Sequence, residues 1–411
     1  MELEVKIYGE TLGYLAEDKN KNISFEYDDD FLKNNLEISP IKLKKSTTGI
    51  YHNSDDTYFG GLAGVFHDSL PDKFGNAIIE QYFADKGVER NELSLLQKLA
   101  YVGVNSMGAL EYIPSEETEE IKVALEIREL VDAAREVING TAKHVIPELM
   151  ESGSSAGGAR SKAIIAWNKK TGEIRSGREI IKKDFEHYIF KFDGTNDNRK
   201  AEEYTRIEYI YMKIAKTCGL NVSEVELFKD REYNHLAVKR FDRLGQKKVH
   251  LHSLCGIAHI DFNKPGIFSY EDYLRTVQAV TNSEEQIQLA IMHMIFNIIS
   301  RNQDDHAKNF SFLMDEHGNW VNSPVYDLTY SNGSGYTSSH QLSLNGKRKN
   351  IKRADILKVC ELFGHKEEVI DIIIDSMVKT FSNRFVDYCA KLNISDERRD
   401  KILREMNKLE K

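Results

Sequence analysis

Residues 287–310 constrain this chain more than any other stretch. Ile287, Ile291, Met294, Ile295, Ile298 and Ile299 recur at helical spacing with almost no polar face between them, so the helix they form must be buried. Ser283 with Gln286 makes a capping box at its start. The helix runs into Arg301-Asn302-Gln303-Asp304-Asp305-His306-Ala307-Lys308-Asn309-Phe310, which carries more ionisable and amide groups than a core segment tolerates. Any fold of this sequence must therefore bury a helix and deliver polar groups from its C-terminal end. Packing alone accounts poorly for such a cluster.

Asp304 and Asn309 stand five residues apart, the separation of base and metal-binding Asn in the catalytic loop H-R-D-L-x-x-x-N of protein kinases. Asn302-Gln303 occupies the first two places of that tripeptide, so the match is in spacing only. Asp327, in Pro324-Val325-Tyr326-Asp327-Leu328, ends an apolar run on a third oxygen ligand. Phosphoryl transfer needs a proton acceptor, oxygen ligands for Mg²⁺ and positive charge around the phosphates. Asp304 fits the first role, Asn309 and Asp327 the second, and Lys162, Lys191 and Lys308 the third. His306 takes a place where kinases commonly have lysine; Asp305 reads either as a surface acid or as a supporting group.

Two upstream stretches fit the same chemistry. Residues 151–162 are rich in Gly and Ser and lead directly into the strand-like Ala163–Trp167, so they read as a loop feeding a sheet, whose N–H groups can approach phosphate closely. Lys191 lies inside the β-run His187–Phe192, followed by a helix from Glu202 to Thr217 carrying Glu203 and Glu208, either of which could hold it. Glu208, central in the helix, is preferred. Leu236–Arg243 begins as a strand leading out of this sheet, where the backbone of Lys239, Arg240 and Phe241 would face an adenine edge.

The N-terminal fifty residues alternate as short strands at Leu3, Val5 and Ile7, at 12–16 and at 23–27, an antiparallel meander. Helical stripes at 74–83 and 93–99 and a strand at 107–113 follow. The polar, acidic run 115–120 marks a first boundary, and from Tyr270 onward the pattern is mostly helical outside 301–350. The expected organisation is α+β in three segments: residues 1–115, 116–243 with the Gly-rich loop, and 244–411 as a helical C-terminal lobe.

Composition narrows the function classes. A formal charge of −9 disfavours autonomous binding to nucleic acid, although Lys347-Arg348-Lys349 could reach DNA beside a partner that supplies the affinity. The longest apolar runs fall short of eighteen residues and the N-terminus lacks a signal-like pattern, which suggests a cytoplasmic protein without membrane attachment. Four scattered cysteines suggest neither a disulfide framework nor zinc. A metallohydrolase built on Asp304, Asp305 and His306 would need further ligands, for which His250, His252 and His259 come closest.

GLAGVFHDSLPD, MGALEY, SAGGARSKAII, FKF, EYIYMKIAKTCGL, VKRFDR, NQDDHAKNFSF, PVYDL and NGKRKNI together resemble the HipA family of serine/threonine kinases, toxins of type II toxin–antitoxin modules. The resemblance implies a two-lobed protein-kinase-like fold with an N-terminal mixed α/β subdomain and an all-helical C-terminal lobe. It implies Asp304 as catalytic base and Asn309 with Asp327 as Mg²⁺ ligands. The implied ATP site comprises Gly157, Gly158, Ala159, Arg160, Ser161, Lys162, Lys191, Lys239, Arg240, Phe241, His306, Ala307, Lys308, Asn309, Tyr326 and Asp327. Ser155, or Ser154 beside it, is the implied autophosphorylation site that inactivates the enzyme. A helix-turn-helix antitoxin, through which DNA is reached indirectly, and an aminoacyl-tRNA synthetase target are implied partners. The alternative is an inactive kinase-like scaffold serving as co-repressor.

Overall fold

The computed structural model describes residues 1–46, 49–53, 57–116, 127–138, 160–177, 184–195 and 201–410. They form two compact units. Unit 1 comprises 1–202, 228–252 and 313–319; unit 2 comprises 203–227, 253–312 and 320–411. Residues 203–227, expected within the middle segment, thus pack in the same unit as the C-terminal helices.

Unit 1 opens with strands β1 (Glu2–Ile7), β2 (Glu10–Glu17), β3 (Ile23–Tyr27) and β4 (Leu110–Ile113), ordered β3-β2-β1-β4. The alternation that predicts β1 is what it buries, since Leu3, Val5 and Ile7 are fully enclosed. Tyr8 and Gly9 both take positive φ, which lets two residues reverse the chain between Ile7 and Glu10. Helix Leu95–Val102 starts at Ser94, whose hydroxyl and the Gln97 side chain form a reciprocal capping box.

The second sheet of unit 1 has β5 (Lys162–Trp167), β6 (Ile174–Ser176), β7 (Glu186–Lys191), β8 (Val225–Asp230) and β9 (Tyr233–Lys239) in the order β6-β5-β7-β9-β8. Ala163, Ile165, Tyr188, Phe190 and Ala237 form one apolar face, buried with Ile127, Leu130, Val131 and Ala134 of helix Ile127–Ile138 and with Phe74 and Ile78 of helix Lys73–Asp85. Side chains alternate across a strand, so Lys162 and Lys191 belong to the opposite face.

Unit 2 is built on helix Glu284–Ser300. Ser283 caps it as expected, but the capping box does not close. The Gln286 side-chain oxygen accepts instead from Asn322 N at 2.8 Å, holding strand Trp320–Asn322. Tyr211 of helix Tyr204–Thr217, Phe296, and Phe381 and Phe385 of helix Glu367–Lys391 make an edge-to-face aromatic nucleus. The Tyr211 hydroxyl donates to Ser300 O at 2.8 Å, so the last turn of the buried helix is pinned. Helices Arg353–Leu362 and Asp396–Glu405 complete the unit. The expectation of an all-helical C-terminal segment needs correction: 301–350 is largely irregular, with strands Ser311–Met314 and Trp320–Asn322. Its turns are held by polar side chains that do not suit a helix interior, such as Asp315, which accepts from the amides of His317 and Asn319. No helix among the described residues is long and apolar enough to cross a membrane.

Candidate functional site

In unit 2 the buried helix ends on Arg301, whose left-handed φ of 56° turns the chain and whose guanidinium donates to Glu405 O at 2.6 Å. The next residues are held from behind. Asn302 donates to the Asn297 side chain at 2.9 Å, and Gln303 N donates to Ser331 O at 3.0 Å. Asp304 then presents a carboxylate that is 41% exposed, within 3.8 Å of His306 Nε2. A base must reach its substrate's proton, and this exposure meets that requirement. His306 packs on Phe262 at 4.8 Å between ring centroids, and Lys308 lies 5.4 Å from the same ring.

Asn309 closes the loop. Its Nδ2 donates to Asp304 O at 2.8 Å and its backbone N to His306 O at 2.8 Å, which makes the spacing of Asp304 and Asn309 a structural link. Asn309 Nδ2 is thus committed, and the amide oxygen is the atom it can offer a cation. Tyr326 donates to Lys308 O at 2.7 Å and meets Ser311 Oγ at 2.6 Å, so the residues just before the two implied metal ligands, Asn309 and Asp327, are tied together. Asp327 has φ of 56°, a conformation that costs free energy at a non-glycine residue and often marks a functional position. An amide and a carboxylate oxygen are the hard donors Mg²⁺ prefers, so the residues present fit that ion.

Asp305, ambiguous in sequence, is fully buried. It accepts from Tyr270 OH at 2.6 Å, His340 Nδ1 at 2.7 Å and Gln341 N at 2.6 Å. Burial would raise its carboxyl, but the imidazole of His340 and these hydrogen bonds outweigh burial and hold it below the usual range. Of the two acids considered as partners for Lys191, Glu203 is engaged elsewhere, accepting from Ser395 N at 2.6 Å and Ser395 Oγ at 3.2 Å. Glu208 is buried on the inner face of its helix.

In unit 1, Lys162 and Lys191 are register partners across β5 and β7. Like charges placed directly opposite repel, so this register concentrates positive charge at one edge of the sheet face. Arg160 is exposed, and Ser161 is buried with its hydroxyl donating to Thr195 Oγ1 at 3.1 Å. Ser154, Ser155, Gly157, Gly158 and Ala159 lie outside the described residues. Lys239 pairs with Glu186. Arg240 turns its side chain away into a buried cluster, donating to both carboxylate oxygens of Asp242 at 2.9 and 2.6 Å. Any adenine contact from this connector would use backbone, as its place after β9 suggests. The Arg240–Asp242 pair was not read from sequence, although the charge pattern of VKRFDR was its only available signal.

The histidines considered for a metallohydrolase are otherwise engaged. His250 Nε2 bonds to Ile38 O at 2.9 Å, and burial together with His252 pushes its pKa down to about 4. His252 bridges Ser39 Oγ at 3.0 Å and Asp68 Oδ2 at 2.7 Å. This is the connectivity of a hydrolase triad. Ser39 is only 1% exposed, so the arrangement clamps the core and admits no substrate. His259 caps the short helix Leu254–Ala258 in the left-handed region.

This fold is similar to that of HipA in the solved Shewanella oneidensis complex of HipA, HipB and operator DNA, with a TM-score of 0.69 and 18% identity over 98% of this chain and 94% of that one. Residues 3–113 match the HipA N-terminal domain and residues 154–385 the HipA-like C-terminal domain. The chain belongs to the HipA family. Among relatives, a putative kinase, Y4mE, of Sinorhizobium fredii is 25% identical over 370 residues, covering 84% of this chain and 81% of that protein. The serine/threonine-protein kinase toxin HipA of Shewanella oneidensis is 29% identical over 157 residues, a match to 31% of this chain and 35% of its own length.

Proposed function

We propose that this protein is an ATP- and Mg²⁺-dependent serine/threonine protein kinase with the two-lobed organisation of that class, acting as the toxin of a type II toxin–antitoxin module. The observation that carries the reading is the loop 301–309. It exposes the Asp304 carboxylate while Asn309 is bonded to the same residue's carbonyl. Asp304 accepts the proton of the acceptor hydroxyl. Asn309 and Asp327 would hold the metal through oxygen, and Mg²⁺ bound there would supply neutralisation of phosphate charge. Lys162 and Lys191 bind the phosphates as paired cations.

Phosphorylation of Ser155, or of Ser154, inactivates the enzyme by placing charge in the loop that would cradle phosphate. The protein partner is a HipB-like helix-turn-helix antitoxin, which is also the route to DNA for a chain of net charge −9. The target class is a protein serine, with an aminoacyl-tRNA synthetase as the first to try, and the compartment is the cytoplasm. A thermal-shift titration tests the reading: ATP with Mg²⁺ raises the melting temperature, and Asp327→Ala abolishes the Mg²⁺-dependent part of the shift. No shift with wild-type protein would leave the scaffold function in its place.

A further inference from the structure

Adjacent carboxylates in the loop occupy opposite environments, one exposed and one sealed. Asp305 has no solvent-accessible side-chain surface, and every donor it meets comes from a segment distant in sequence. Tyr270 comes from the first turn of helix Tyr270–Thr281, and its hydroxyl also accepts from Asn297 Nδ2 at 3.3 Å. His340 and Gln341 come from the segment after the loop. Gln341 returns the contact, since its Nε2 donates to Gln303 O at 3.1 Å, to Ser339 O at 2.8 Å and to Tyr336 O at 2.6 Å. His340 is held in turn by Arg348, exchanging a backbone bond at 3.1 Å for a guanidinium bond at 2.7 Å.

Asp304 is therefore flanked by fixed points. On its N-terminal side Gln303 is bonded through N to Ser331 and through O to Gln341. On its C-terminal side Asp305 is held by three donors. Of residues 303–305, Asp304 alone presents its side chain to solvent. A buried carboxylate with one missing acceptor would leave a donor unsatisfied, which is costly, so the loop has one backbone position.

We infer that Asp305 is a positioning residue for phosphoryl transfer: its carboxylate, clamped by Tyr270, His340 and Gln341, sets the place of the Asp304 base without touching substrate. The inference rests on the phosphotransferase reading. Displacing a reacting group by about 1 Å can cost about 100-fold in rate.

The test compares purified full-length wild type, Asp304→Asn, Asp305→Asn and Tyr270→Phe in steady-state phosphoryl transfer from ATP–Mg²⁺, with amide hydrogen exchange on the same samples. For Asp305→Asn, kcat falls about 100-fold while KM for ATP stays within about twofold, and exchange quickens at Gln341 and across 302–309. Tyr270→Phe, which removes one donor and keeps the ring, gives the same pattern at roughly tenfold in kcat and serves if Asp305→Asn does not fold. Wild-type kcat in both variants, with wild type active and Asp304→Asn inactive, overturns the positioning role and leaves the kinase reading intact. Wild type inactive under all conditions overturns the kinase reading. In that case unchanged exchange at Gln341 in Asp305→Asn also rules out the clamp.

Discussion

Removing the carboxylate of Asp242 should destabilise unit 1 by about 4 kcal/mol. The side chain is 1% exposed and is met by Arg240 at 2.6 Å, by Arg243 at 2.8 Å and by Gly108 N at 2.8 Å, and both arginines are themselves almost wholly buried. Burial alone would raise the Asp242 carboxyl, but the two guanidinium charges outweigh it and hold the group far below the ordinary range. Arg243 is also pushed down, to about 10, by its own burial and by the charge of Arg240, so its charged form is disfavoured where that of Asp242 is favoured. Asp242→Ala therefore leaves two cations in the interior with no counter-charge, a loss of roughly 3–5 kcal/mol where one partner of a buried pair is removed. With a denaturant slope of about 2–3 kcal/mol/M, a loss of about 4 kcal/mol lowers the urea midpoint by about 1.3–2 M. The chain has only two tryptophans, Trp167 in unit 1 and Trp320 in unit 2, so fluorescence in a Trp320→Phe background follows unit 1 alone. The triple variant Asp242→Ala, Arg240→Met, Arg243→Met should recover most of the loss, because it removes the stranded charges. A triple variant no more stable than Asp242→Ala, or a midpoint change below about 0.3 M for the single variant, would refute the electrostatic reasoning.

Further outcomes can be checked alongside it. Lys162→Ala should raise KM for ATP by about tenfold in a steady-state assay, the value of one charge-assisted bond to phosphate. The buried His293, which packs against Phe310, has its pKa pushed down to about 3 by burial, below the ordinary 6.5. The unfolded chain therefore takes a proton that the native state refuses: stability is complete above about pH 6.5 and falls as pH drops toward 3. Urea midpoints read at Trp320 should fall between pH 6.5 and 4.5, and His293→Phe should flatten that slope; equal slopes would exclude His293 as the cause. Mass spectrometry after incubation with ATP–Mg²⁺ should find the first phosphate on Ser154 or Ser155, and a first phosphate elsewhere would remove the loop-serine proposal.

Much of the fold was legible because it depends on periodicity. Leu3, Val5 and Ile7 alternate and bury one strand face, and the isoleucines of 287–299 recur at helical spacing and are enclosed. The loop after that helix was legible for the opposite reason, as polar density where packing predicts none. Pairings decided by three-dimensional competition were not. Gln286 has the spacing for a capping box, yet its amide goes to Asn322, which lies 36 residues away. Asp304 and Asp305 are chemically identical neighbours, and only the approach of Tyr270, His340 and Gln341 separates an exposed carboxylate from a buried one. Glu203 and Glu208 share a helix, and only the approach of Ser395 shows that Glu203 is engaged within its own unit. Arg240 reads as a connector residue in sequence, but its side chain follows Asp242 into the interior.

The most direct test of phosphotransferase function is transfer of the γ-phosphate of labelled ATP with Mg²⁺, measured for wild type, Asp304→Ala and Asp327→Ala. The expected result is incorporation by wild type, loss of at least about 100-fold in each variant, and no incorporation when Mg²⁺ is chelated. Equal incorporation by all three proteins would contradict the assignment of Asp304 as base and Asp327 as metal ligand.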